Sequence, residues 1–456
     1  MIITVDAESF ETFDETDIRR FYQESQQDIQ KYQRLEKYFL NEHELNRKPK
    51  FNSNDPNNKL IHAMCKYVTI VLTGFFIGKP VKYGSEDDAL LECIKDILDY
   101  NDEEEENFEI AKKMSIHGHC FELLYMDEDA NIRFTRIPAD EGILFKESTT
   151  DGKYLGFMRV IHSKDKLRNP ILRIDFYTAY ECWTFTSKNK AVLELTDVQE
   201  HFWGDVPIVL YQNNEEMKGD FEDVISINDA YDKGQSNTAN LFEYNDDAIM
   251  HLSKLGDVEL EDVVEMRKKG VIITEDGGEL SWIMKEINDT ATENYKDRLK
   301  NDMHLYSFTP KMDDESFSGN LSGVSIGYKM WSPNQIISDK QRKFKKALQR
   351  RFELICNIEH LFGRAYDYRD IDITFQRNAP QNDLENAQIV NLASPHISHE
   401  TALTNLNMVD NAKDELQRIK DEQIEEYEET SRYEKMGAAF NKVLDINEID
   451  AEGSDE

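Results

Sequence analysis

Lys340, Arg342, Lys343, Lys345, Lys346, Arg350 and Arg351 crowd one predicted helix. Ammonium and guanidinium groups at this density either contact phosphates or pair with carboxylates. The chain carries a formal net charge of −36, so this is its one dense basic patch. Just before it lies a loop rich in glycine and hydroxyl groups: Phe317, Ser318, Gly319, Asn320, Ser322 and Gly323. A phosphate-binding loop for nucleotides needs a Lys after its second Gly. Here Val324 follows Gly323, which argues against nucleotide binding and hydrolysis. His117, His119 and Cys120 lack a second cluster at zinc-ligand spacing, and so do His396 and His399. No G-x-S-x-G, H-E-x-x-H or Rossmann fingerprint occurs. Carboxylates are so abundant that no acid–base couple stands out. The expectation is no catalytic residue, no metal and no cofactor.

The elements that must position loop and helix follow from pattern. A 456-residue chain has room for two to four domains, and its 39% hydrophobic content supports real cores. Strong acidity makes it a poor general binder of nucleic acid, so any such contact has to be local or weak. Five scattered Cys without a CxxC pair read as reduced, intracellular thiols. The N-terminus has no signal-peptide pattern, and the longest apolar run, 67–78, is too short to span a membrane.

Residues 14–46 show near-helical spacing, with Asp14 or Thr16 as cap. Helices are also expected over 59–76, 87–100 and 106–117, with the acidic run 102–106 as solvated surface. From 118 to about 210 the period changes to two, at 121–125, 132–137, 156–161, 172–177, 181–185, 191–195 and 206–210. Helices followed by antiparallel strands make an α+β domain. A long helix is expected over 221–252 and another over 289–306. Between them, a short helix at 260–269 and a hairpin of 270–274 with 280–284 form a small α/β tip. The Ser332–Pro333 step predicts a break before the basic helix, whose apolar stripe is Phe344, Ala347, Leu348 and Ile355. A strand at 370–375 and helices at 383–392, 398–406 and 410–432 follow, with Ser398 as a cap. Residues 437–456 read as a mobile acidic tail. On the residues alone, pairing with acidic neighbours is the favoured reading of the basic helix over a nucleic-acid contact.

The order of these parts resembles the portal proteins of tailed bacteriophages, the head–tail connector family, over residues 15–435. The run Asp314-Glu315-Ser316-Phe317-Ser318-Gly319-Asn320-Leu321-Ser322-Gly323-Val324-Ser325 is similar to the family's acidic, aromatic, Gly-Asn-x-Ser-Gly-x-Ala segment. The basic ending at Arg350-Arg351, the strand with Arg377-Asn378-Ala379-Pro380, and the helix start at Ser398-His399-Glu400 fit the same pattern. Ser325 departs from the usual Ala, and Gly327 stands where a larger residue is common.

The resemblance implies a portal-type α+β fold assembled as a ring, usually of twelve copies, around a double-stranded DNA channel at one capsid vertex. It implies a wing at 1–220, stem helices at 221–252 and 289–308, and a clip at 253–288. Residues 309–378 would hold the channel loop, a long kinked basic helix and a wing strand, and 379–436 a helical crown. Phe317 to Gly323 would line the channel, Lys340, Lys343, Lys346 and Arg350 would be the candidate DNA-facing cations, and Ile272, Trp282 and Ile283 would meet the neighbouring subunit in the clip. Implied partners are further copies of the chain, DNA, the terminase packaging ATPase, scaffolding and major capsid proteins, and head-completion adaptors. The implied location is the virion, after synthesis in the host cytoplasm. The rival readings are a cytosolic acidic enzyme and a non-portal adaptor.

Overall fold

A computed structural model describes residues 1–10, 13–50, 56–164, 166–188, 193–246, 249–252, 259–269, 280–283, 289–312, 327–378, 383–404, 406, 409, 412 and 415–424. The chain forms two compact units, residues 1–314 with 329–378, and residues 315–328 with 379–456.

In the first unit, helices Glu15–Glu24 and Gln26–Phe39 replace the single helix expected over 14–46. Asp14 caps the first: its carboxylate accepts from the N–H of Thr16 at 2.8 Å and of Asp17 at 3.2 Å. The chain steps at buried Ser25, whose hydroxyl donates to the Tyr22 carbonyl instead of projecting into solvent. Helix Met64–Ile77 buries Cys65, Val68, Leu72, Phe75 and Phe76, so it is apolar nearly all round and sits in the core. Helices Asp88–Tyr100 and Glu103–His117 follow. The acidic run at 102–106 is therefore largely the first turn of a helix. Glu103 within it is buried, contrary to the solvated surface expected from composition.

In chain order the strands are β1 (Ile2–Val5), β2 (Lys82–Gly84), β3 (His119–Met126), β4 (Ile132–Pro138), β5 (Gly142–Glu147), β6 (Tyr154–Lys164) and β7 (Pro170–Tyr177). Then come β8 (Glu181–Lys188), β9 (Glu194–Glu200), β10 (Ile208–Gln212), β11 (Ile249–Leu252), β12 (Leu280–Ile283) and β13 (Asp372–Thr374). The alternating region forms two sheets. A six-stranded sheet runs β1-β5-β6-β7-β8-β9, and a three-stranded sheet runs β10-β3-β4. All pairings are antiparallel except β1 with β5. Phe145, Met158, Ile174 and Phe176 of the larger sheet pack under Phe10, Phe13 and Phe21. Phe121 and Ile208 of the smaller sheet meet Leu144 and Phe157 of the larger. Each such ring or branched side chain buried contributes about 1.5–3 kcal/mol.

Two further expectations are corrected. Among the described residues β12 pairs with β11, with Ile249 opposite Ile283 and Met250 opposite Trp282. Residues 249–252 are thus strand, and the helix expected over 221–252 is Ile225–Asp246, passing through Gly234. The expected strand 270–274 lies outside the described residues. The second correction is Pro333. The long helix runs unbroken from Trp331 to Leu361, with Pro333 in its first turn. There an N–H has no intrahelical acceptor, so its loss breaks nothing.

In the second unit, helices Asp383–Ala393 and His399–Thr404 are present. The Ser398 hydroxyl accepts from the Thr401 N–H at 3.2 Å, as an N-cap does. Residues 415–424 are helical within the expected span 410–432.

Candidate functional site

The long helix is where the sequence placed its chemistry. Its predicted apolar stripe, Phe344, Ala347, Leu348 and Ile355, is buried, and Phe352 is buried with it. Phe344 lies against Tyr211 of β10 at 4.8 Å between ring centroids and against Phe76 at 5.5 Å. A helix needs about one such stripe to dock, and its remaining faces are free for charge.

Arg351 is 0% exposed and forms the centre of a buried ion network. Its guanidinium grips Glu122 of β3 with two bonds, Nε at 2.8 Å and Nη2 at 2.6 Å, a forked geometry that only Arg can make. Nη2 also donates to Asn107 at 2.8 Å, and Nη1 lies 3.4 Å from Glu103. Tyr211 donates to Glu122 at 3.1 Å, while Tyr83 and Asn107 both donate to Glu103. The guanidinium also sits over the Phe134 ring at 4.4 Å. Burial alone would lower the Arg351 pKa, but Glu122, Tyr211 and Glu103 outweigh it and keep the side chain charged. Burial pushes the Glu103 carboxyl up despite Arg351. Helix, sheet and the helix Glu103–His117 are therefore tied through one cation.

Lys340 is enclosed as well. It pairs with Asp220, and both side chains are 3% exposed. Asp220 also accepts from Ser115 at 2.5 Å and Asn213 at 2.8 Å. Lys343 pairs with Glu215. Arg350 binds Asp205 at 2.8 Å and Glu353 at 2.7 Å. Arg377 reaches back to the start of the helix, donating to Asn334 and, at 2.8 Å, to Ser338. Of the four cations expected to face DNA, Lys340, Lys343 and Arg350 thus hold carboxylates of the same chain. Lys346 is exposed and, among the described residues, unpaired, as is Lys345.

The loop residues Phe317, Ser318, Gly319, Asn320, Ser322 and Gly323 lie outside the described residues, and so does Ile272. Trp282 and Ile283 are on β12. His117 and His119 are buried. His117 Nε2 lies 3.0 Å from Glu36, and the Cys120 thiol is pushed up by burial, which makes it a poor nucleophile. Among the described residues, no group of three His, Cys, Asp or Glu is placed to hold a metal, and no helix is long and apolar enough to cross a membrane. Sequence reading named Arg351 only as one more basic residue, placed Glu103 in a solvated run, and gave no role to Glu122 or Asp220. One signal was available: Glu122 is a lone acid between Phe121 and Leu123 in a strand otherwise fit for burial.

Matched buried ions thus lock the long helix against its neighbours, an arrangement that holds a scaffold rather than a reaction centre. The family model described as phage portal protein, SPP1 Gp6-like, matches residues 18–429. The chain belongs to this family. It is 23% identical over 385 residues to the portal protein of Bacillus phage SPP1, covering 80% of this chain and 76% of that one. It is 28% identical over 229 residues to the portal protein of Clostridium phage phiCD119, covering 47% of this chain and 49% of that one.

Proposed function

We propose that copies of this chain form a ring at one vertex of a phage capsid, through which genomic DNA is packaged and later ejected. The observation that carries this reading is the family match over nearly the whole chain. We assign residues 1–220 to the wing, and the helices Ile225–Asp246 and Asp289–Tyr306 to the stem. The β11–β12 pair belongs with the clip, which moves the clip's first boundary to about Ile249. The loop bearing Phe317 to Gly323 faces the channel, Ile272, Trp282 and Ile283 meet the neighbouring copy, and 379–436 is the crown. The ring docks the packaging ATPase, scaffolding and capsid proteins during assembly and head-completion proteins afterwards.

The physical logic is a fixed helix behind the channel loop. Arg351, Lys340 and Arg377 clamp the long helix at three levels, so force on the loop is resisted by the wing rather than by the helix bending. Net charge −36 per copy keeps the wall from gripping phosphates, so DNA slides in either direction. The test is a deletion of residues 316–320. Rings should form as in the wild type, while DNA packaging or retention fails. Normal packaging and retention by the deletion variant would remove the loop from the channel.

A further inference from the structure

The large sheet carries opposite charge at its two ends. Near one end, Lys146 of β5 lies over the Tyr154 ring at 5.3 Å, and Arg350 of the long helix lies over the same ring at 5.5 Å. Lys343 and Lys346 stand one helical turn apart beside them. Lys146 feels repulsion from both, which adds to the lowering that burial causes. The exposed Glu215 answers these three cations, and Lys345 is exposed next to Lys346. Glu215 pairs with Lys343, and Asp205 and Glu353 with Arg350, which leaves the exposed Lys345 and Lys346 without an ion pair among the described residues and open to an anionic partner.

At the opposite edge is β9, four strands from β5 and so roughly 19 Å away. Every residue of β9 is exposed. It presents Glu194, Asp197 and Glu200 and no cation, and none of the three is ion-paired among the described residues. Leu195 and Val198 are also exposed on it, at 52% and 47%. The three carboxylates blunt this edge against strand pairing, while Leu195 and Val198 leave apolar area that a partner can cover.

We propose that the lysine cluster of one copy receives the acidic edge strand β9 of the next, head to tail. The contact is heterologous, which is the kind that closes rings, and it rests on the ring reading above. The occupant follows from charge: each copy brings both the cationic and the anionic half.

The test uses the full chain, with native mass spectrometry over a dilution series in a volatile salt. Lys345→Glu with Lys346→Glu should raise the concentration for half-assembly by at least about tenfold, since like charges then face each other. Glu194→Lys with Asp197→Lys should do the same, and the chain carrying all four changes should recover most of the loss. Wild-type assembly by either reversed pair overturns the proposal, and so does a fourfold variant no better than the pairs. Normal rings that fail to retain DNA in the lysine variant would make DNA the partner instead. A wild-type chain that forms no ring would refute the underlying ring reading.

Discussion

Replacing Arg351 by Met leaves Glu122, 0% exposed, and Glu103, 8% exposed, in the core without their cation. The lost contacts are the fork to Glu122 at 2.6 and 2.8 Å and the bond to Asn107 at 2.8 Å. Removing one partner of a buried pair costs about 3–5 kcal/mol, because the remaining charge has neither water nor counter-ion. A domain's whole stability is about 5–15 kcal/mol, so the loss is a large fraction of it. Urea unfolding followed by circular dichroism reads this as a lowered midpoint. Arg351→Lys should recover little, since an ammonium cannot fork to the carboxylate. Adding Glu122→Gln to Arg351→Met should recover part of the loss by removing the orphaned charge. A single Arg351→Met variant within about 1 kcal/mol of wild type would refute the idea that this network holds the helix.

Lys340→Met should cost about 3 kcal/mol in the same assay, by leaving Asp220 buried with only Ser115 and Asn213. Gly118→Ala should destabilise or misfold the chain. Gly118 has φ +84°, and a Cβ there would meet the Met217 carbonyl oxygen at 1.9 Å. Glu36 gives a pH prediction. Burial pushes its pKa up, but the nearby His117 ring and the bond from Lys113 outweigh this and lower it from 4.5 to about 2. Its stabilisation is therefore present above about pH 4.5 and lost as pH falls towards 2. Glu36→Gln should flatten that part of the stability profile, and an unchanged acid limb would contradict it.

Much of the fold was legible where one physical signal dominates. The helix Asp289–Tyr306 and the stripe Phe344, Ala347, Leu348, Ile355 follow from period, and the caps at Asp14 and Ser398 from side-chain chemistry. What failed was non-local. β2 pairs with β13 from about 290 positions away, and β1 joins β5 from about 140 positions away, so no local pattern announces either. Ile249–Leu252 is too short to separate strand from helix by period, and only its pairing with β12 decides it. Pro333 was read as a break because sequence does not reveal which turn of the helix it occupies. The basic patch misled most: composition cannot distinguish Arg351, fully enclosed, from Lys346, exposed, although both lie on one helix. The distinction depends on Glu122, more than 200 positions away in the chain.

The most direct measurement is the native mass of the purified full chain, with negative-stain images of the same sample. The account predicts closed rings of about a dozen copies around an open channel, expected from the family rather than from the single chain. A population of monomers or dimers at micromolar concentration, with no ring in the images, would contradict it.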